Sequence, residues 1–209
     1  MIKKYNLTAI SFTSRLSQVS LVLLSLSLAG CASPNKEHFY QLSYAHHEPA
    51  SSDTKYDVIL EAVTIPEMIN RPQLVVQKSV TELQILDEQR WIAPLDEQIR
   101  QALQADLQAQ LPQAWLHQRP LLHATGVRYF VNVEVQQLHI APAKEVQMEM
   151  VWVISDTNKK ILRRQQLQRS VALNNSDYSS IAPAISEVLQ KLSISVANDI
   201  KAVGETPNK

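Results

Sequence analysis

The strongest constraint on the fold lies between Glu145 and Ile154, where Val146, Met148, Met150, Trp152 and Ile154 fall on every second position. A period of two places those five side chains on one face of an extended chain, so this stretch must be a strand with one face buried. Val127 to Ile140 alternates in the same way. After the turn signal Asp156-Thr157-Asn158-Lys159, Ile161 to Leu173 supplies a third strand. The three form a meander.

Two segments follow the other period. Leu95, Ile99, Leu103, Leu107 and Leu111 recur every four residues beside Ala102, with Pro94 at the start, Asp96 and Glu97 in the first turn and Pro112 at the stop. Ile181, Ile185, Val188, Leu189, Leu192, Val196, Ile200 and Val203 make a second amphipathic helix within Tyr178 to Val203. Upstream, Tyr56 to Ile65 reads as a strand ended by Pro66. Gln73 to Lys78, Glu82 to Leu86 and Gln89 to Ile92 read as short strands, with Asp87-Glu88 as a hairpin turn. His38 to Tyr44 is a further short strand. Strands, helix, strands, helix predict an α+β (or open α/β) domain: one mixed, largely antiparallel sheet with two main helices packed on it.

The first thirty residues do not belong to that domain. Lys3, Lys4 and Arg15 precede the apolar run Val19 to Ala29, which is too short to span a bilayer and has the length of a secretory h-region. Leu28, Ala29, Gly30 and Cys31 follow in a pattern that resembles the lipobox of bacterial lipoproteins, with small residues where a peptidase must fit. Cys31 is the chain's single cysteine, so it has no intramolecular disulfide partner, and it stands where lipidation requires a thiol. That resemblance implies a product that begins at Cys31, carries a diacylglycerol and an N-acyl chain, and is anchored by several chains where one alone binds only marginally. The organisation is then a leader over 1–30, lipidated cysteine and tether with its short strand over 31–55, a folded domain over 56–203, and a frayed tail over 204–209. Ala32, rather than an aspartate, after the cysteine points to the periplasmic face of the outer membrane where enterobacterial-type sorting applies.

Charge and composition exclude several functions. Removing the three leader cations leaves 17 of the 20 basic residues against 20 acidic ones, with no basic run, which speaks against nucleic acid as a partner. Three glycines, one of them in the leader, cannot build a phosphate cradle. His38, His46, His47, His117, His123 and His139 scatter over tether, loop and strand, so no metal and no cofactor is expected beyond the covalent lipid. No serine sits at nucleophile-elbow spacing, and Asp87-Glu88 and Asp96-Glu97 read as a turn and a helix start rather than an acid and base pair. An enzyme is not expected.

Phe39-Tyr40-Gln41-Leu42 shortly after the lipobox, Val63 to Pro66, Arg71-Pro72-Gln73-Leu74, and Arg90-Trp91 leading to Pro94-Leu95 occur in an order and spacing that resembles the ABC-type transport auxiliary lipoproteins. Trp152 and Asp177-Tyr178 agree more loosely. Glu67-Met68-Ile69 departs from the tyrosine and leucine that often follow the first proline in that pattern. The resemblance implies a periplasmic domain fixed to the outer membrane that docks or positions an ABC or MCE-type (mammalian cell entry) machine moving lipids or other hydrophobic molecules between membranes. It also implies self-association, a ring of copies being one form. An envelope scaffold lipoprotein, pilotin-like or linked to the cell wall, is the alternative. Trp91 and Trp152 read as core or sheet-face residues and Trp115 as exposed. Arg90, Trp91 and Trp115 are the candidate partner-contact or core-support residues.

Overall fold

The computed structural model describes residues 36–44, 54–118 and 127–205, and Glu37–Lys209 forms one compact unit. The lipobox and Cys31 lie outside the described residues, as do His46, His47 and His123. Eight strands divide between two open sheets: β1 (His38–Tyr40), β2 (Tyr56–Thr64), β3 (Gln73–Gln77), β4 (Leu83–Trp91), β5 (Ala114–His117), β6 (Val127–Ala141), β7 (Glu145–Ser155) and β8 (Ile161–Ala172). The helices are α1 (Leu95–Gln110) and α2 (Ile181–Glu205), the latter entered through a single 3-10 turn at Tyr178–Ser180. The expected α+β class holds.

The five-stranded sheet has the order β5-β2-β6-β7-β8 and the three-stranded one β1-β4-β3. The meander β6-β7-β8 is antiparallel, as its alternation and short turns require. β2, however, lies parallel to both β5 and β6, and β1 lies parallel to β4. The mixed character is as expected, while the single sheet expected is two. Alternation reports which face is buried and is blind to whether the neighbouring strand runs up or down.

Val146, Met148, Met150, Trp152 and Ile154 all face the core, beneath the two helices. α1 packs over β2 and β5, α2 over β7 and β8, and the helices pack against each other. Every apolar position read from the helical period of α1 is buried, and in α2 all but the half-buried Val203 are. Pro94 is the N-cap residue of α1 rather than part of its first turn, and Leu111 closes the other end by donating its backbone N–H to Leu107.

Two local expectations are corrected. Asp87-Glu88 is not a hairpin turn: β4 runs unbroken through it, and the turn lies at Lys78–Glu82, where Lys78 and Glu82 pair their side chains at 2.8 Å. The polar pair instead marks an irregularity in the ladder, since Leu74 stands opposite Leu86 while the preceding Gln73 stands opposite Arg90. Three residues of β4 are thereby left without a partner on β3, an irregularity of the kind that locally bends a strand. Residues 114–117, which the sequence pattern leaves outside any element, form the edge strand β5. Four residues directly after a proline-ended helix carry too little pattern to show a strand.

Candidate functional site: a cleft where the motif segments meet

β1 is only three residues long, too short to hold itself, and it is fixed by side chains from other elements. The Tyr40 hydroxyl donates to Gln89 Oε1. Burial, reinforced by the nearby Asp177 and Tyr178, pushes that phenol above its ordinary range. Past the strand, Leu42 N–H donates to Gln98 Oε1 at 3.0 Å, and Gln98, itself buried, returns its amide to the Ala93 carbonyl at 2.8 Å. Ser43 N–H donates to Ser186 Oγ at 3.0 Å, tying the same segment to α2. A buried polar side chain is stable only when it is bonded in this way.

The end of β4 is joined to the same place. Phe39 stands opposite Arg90 and Tyr40 opposite Trp91 in the parallel ladder, Ile92 N–H donates to Tyr40 O at 3.0 Å, and Trp91 N–H donates to Pro72 O at 2.7 Å. Phe39-Tyr40, Arg71-Pro72 and Arg90 to Pro94, spread over more than fifty residues of sequence, therefore converge on a cleft of about 450 Å³. Phe39, Arg71, Arg90, Ile92 and Asp96 are among its lining residues. Phe39 is 53% exposed and Ile92 56% exposed, a large apolar surface for a soluble face. Arg90 Nη1 donates to Glu37 at 3.3 Å and Arg71 Nε to Gln73 at 3.4 Å.

The three contact candidates do not form one site. Arg90 and Trp91 both border the cleft, Trp91 with only 4% exposure and most of its ring in the core. Trp115 is 48% exposed and lies on β5, at one edge of the other sheet. The reading of Trp91 and Trp152 as core and of Trp115 as exposed is borne out. Phe39, Arg71 and Ile92 were not singled out as contacts. The signal for Phe39 was its alternation against the half-buried Tyr40, and for Arg71 its place in the quoted motif.

A second polar centre has no trace in the sequence. Asp57 on β2 is 1% exposed, and its carboxylate accepts from Arg128 Nε on β6 while its other oxygen is bonded to His117 Nε2 on β5. Register explains the meeting: Asp57 lies beside Arg128, and His117 lies beside Ile59, two residues along. One carboxylate thus links three adjacent strands. Among the described residues, no three His, Cys, Asp or Glu side chains gather as a metal-holding group, and no helix is long and apolar enough to cross a membrane.

Comparison with known proteins agrees with this architecture. The chain is 26% identical over 184 residues to the intermembrane transport lipoprotein PqiC of Escherichia coli, covering 87% of this chain and 96% of the relative. Its fold matches the crystal structure of an uncharacterized protein with a TM-score of 0.67 at 21% identity, covering 79% of this chain and 99% of the other. A protein from Xanthomonas campestris matches with a TM-score of 0.62 at 11% identity, over 80% and 97%. The family model for the ABC-type transport auxiliary lipoprotein component matches residues 40–197, from β1 through most of α2, and the chain belongs to that family.

Proposed function

We propose that this chain is a non-enzymatic accessory of an intermembrane transport system, acylated on Cys31, held at the periplasmic face of the outer membrane, and acting by docking and positioning an ABC or MCE-type partner. The observation that carries the reading is the family match over residues 40–197, most of the domain, and the exposed Trp115 on the β5 edge offers a docking contact. A lipid-anchored domain also works at one membrane, where confinement raises its effective concentration toward a partner.

The anchor and the docking surface occupy different parts of the molecule in this proposal. Trp91 supports the core beneath the cleft, and Trp115 on its edge strand is the protein-contact residue, since exposed tryptophans are enriched at interface hot spots. Self-association belongs to the same reading. A photo-crosslinking residue at position 115 in intact cells, followed by mass spectrometry, tests it: adducts to an MCE or ABC component are expected. Adducts to a secretin, or co-purification with peptidoglycan, would replace it with the scaffold reading.

A further inference from the structure

We propose that the cleft formed by Phe39, Arg71, Arg90 and Ile92 rests on the phospholipid leaflet that holds the acyl chains, so that the domain has a fixed membrane-facing side. This rests on the reading of Cys31 as the acylated residue.

The first argument is covalent. Phe39 lies eight residue steps beyond Cys31, and eight fully extended steps span at most about 29 Å. A domain of this size is roughly 40 Å across, so the side that carries β1 is the one the anchor can hold against the leaflet. The described chain leaves no slack beyond that point. His38–Tyr40 is bonded into the ladder with β4, and Leu42 and Ser43 are tied to Gln98 and Ser186.

The second argument is chemical. At that place the surface offers two large exposed apolar side chains, Phe39 and Ile92, next to two guanidinium groups. Aromatic rings favour the membrane interface, and basic residues beside an anionic leaflet are attracted to its phosphates, where a planar guanidinium can bond two oxygens. Two acids lie nearby, so the attraction rests on guanidinium geometry rather than on net charge. Asp96 lines the cleft with its Oδ1 engaged by Glu97 N–H at 2.9 Å. Glu37 pairs with Arg90 at 3.3 Å with nearly half of its side chain exposed, and an exposed pair of this kind exchanges readily for phosphate.

The test uses the full acylated protein reconstituted in vesicles of phosphatidylethanolamine and phosphatidylglycerol. With Cys31 acylated, Phe39→Cys supplies the single free thiol for an environment-sensitive fluorophore, because the chain has no other cysteine. Arg164→Cys, at an exposed position on β8 at the far edge of the five-stranded sheet, is the matched control for a basic site. Nitroxide-labelled lipid is expected to quench the fluorophore at position 39 roughly threefold more than that at position 164. Adding Arg71→Glu and Arg90→Glu should remove most of the difference, with circular dichroism confirming that the variants fold. An Arg71→Gln and Arg90→Gln pair gives the same reading if charge reversal disturbs folding.

Equal quenching at the two positions overturns the proposal, as does a photo-crosslinker at position 39 that captures protein rather than lipid in cells. The intact mass of the same preparation separates the two layers. An acylated protein with equal quenching sinks the orientation alone, whereas a protein without acyl chains sinks the anchoring and the orientation with it.

Discussion

The indole N–H of Trp152 donates to Asp199 Oδ2 across 3.0 Å, joining the middle of β7 to the last third of α2. Arg163 Nε donates to the other oxygen of Asp199, also at 3.0 Å, which brings β8 into the same contact. One carboxylate on the helix thereby fixes where it lies on the sheet. Asp199→Ala leaves the largely buried indole N–H without its acceptor, a loss of about 1–3 kcal/mol. Asp199→Asn, which can still accept, should lose less. Chemical denaturation of the three proteins measures the order, and equal stabilities would mean that apolar packing alone seats α2.

The Asp57 link between β5, β2 and β6 is the more costly one to break. Asp57→Ala removes the buried carboxylate that joins Arg128 and His117, whose side chains reach solvent, and is expected to cost about 3 kcal/mol, the low end for a buried ion pair. Asp57→Asn keeps the shape and one acceptor oxygen, and is expected to fall between the wild type and alanine. Urea midpoints read the effect, with an unchanged m-value showing that the same fold is being unfolded.

Asp177 makes the entry to α2 sensitive to pH. Its carboxylate accepts from Ser179 N–H at 2.9 Å, and the backbone and hydroxyl bonds of Ser179 hold it below the usual 3.8. A group depressed in the folded state adds stability that is fully present above its unfolded pKa and is lost as pH falls through the lower folded value. Asp177→Ala should therefore melt below the wild type at pH 7, and the gap should close as pH falls below about 4. A gap that stays constant down to pH 2 would assign the effect to helix-entry geometry instead.

Trp91 and Trp115 should separate folding from function. Trp91→Ala opens a cavity beneath the cleft and should cost about 3–5 kcal/mol. Trp115→Ala removes an exposed ring from an edge strand and should change stability by less than about 0.5 kcal/mol. Under the proposed function it is this second, stable variant that weakens capture of the transport partner in crosslinking. If Trp115→Ala retains full crosslinking and transport, the β5 edge is not the contact.

Where one periodicity runs over a long stretch, the sequence is easily read. Val146 to Ile154 and Leu95 to Leu111 place their side chains as the period requires. Even the irregularity in β6 leaves a mark: buried positions run Val131, Val133, Val135 and then Leu138, Ile140, a change of parity at Gln136 where the ladder with β7 skips a residue. What stayed hidden depends on partners far away in the chain. Asp57 looks like an ordinary polar residue in a strand, because its partners lie 60 and 71 residues further on. The parallel neighbours of β2 and the four residues of β5 are set by tertiary pairing, which local pattern does not encode. The cleft was half legible: its segments stood out as motifs, but that Phe39 and Arg90 share one rung could only be seen in the folded ladder.

β2 has a consequence for the order in which the molecule is made. Its five buried residues, Tyr56 to Leu60, pair on one side with residues from 127 onward, and the first four of them pair on the other with residues 114–117. The middle of the main sheet thus stays open until well over half of the chain has been synthesised, and long-range parallel pairing closes slowly. A chain that crosses a membrane unfolded gains from such a delay, and under the proposed function this one closes late by topology. The strand that holds the finished domain together is the one that keeps the nascent chain loose.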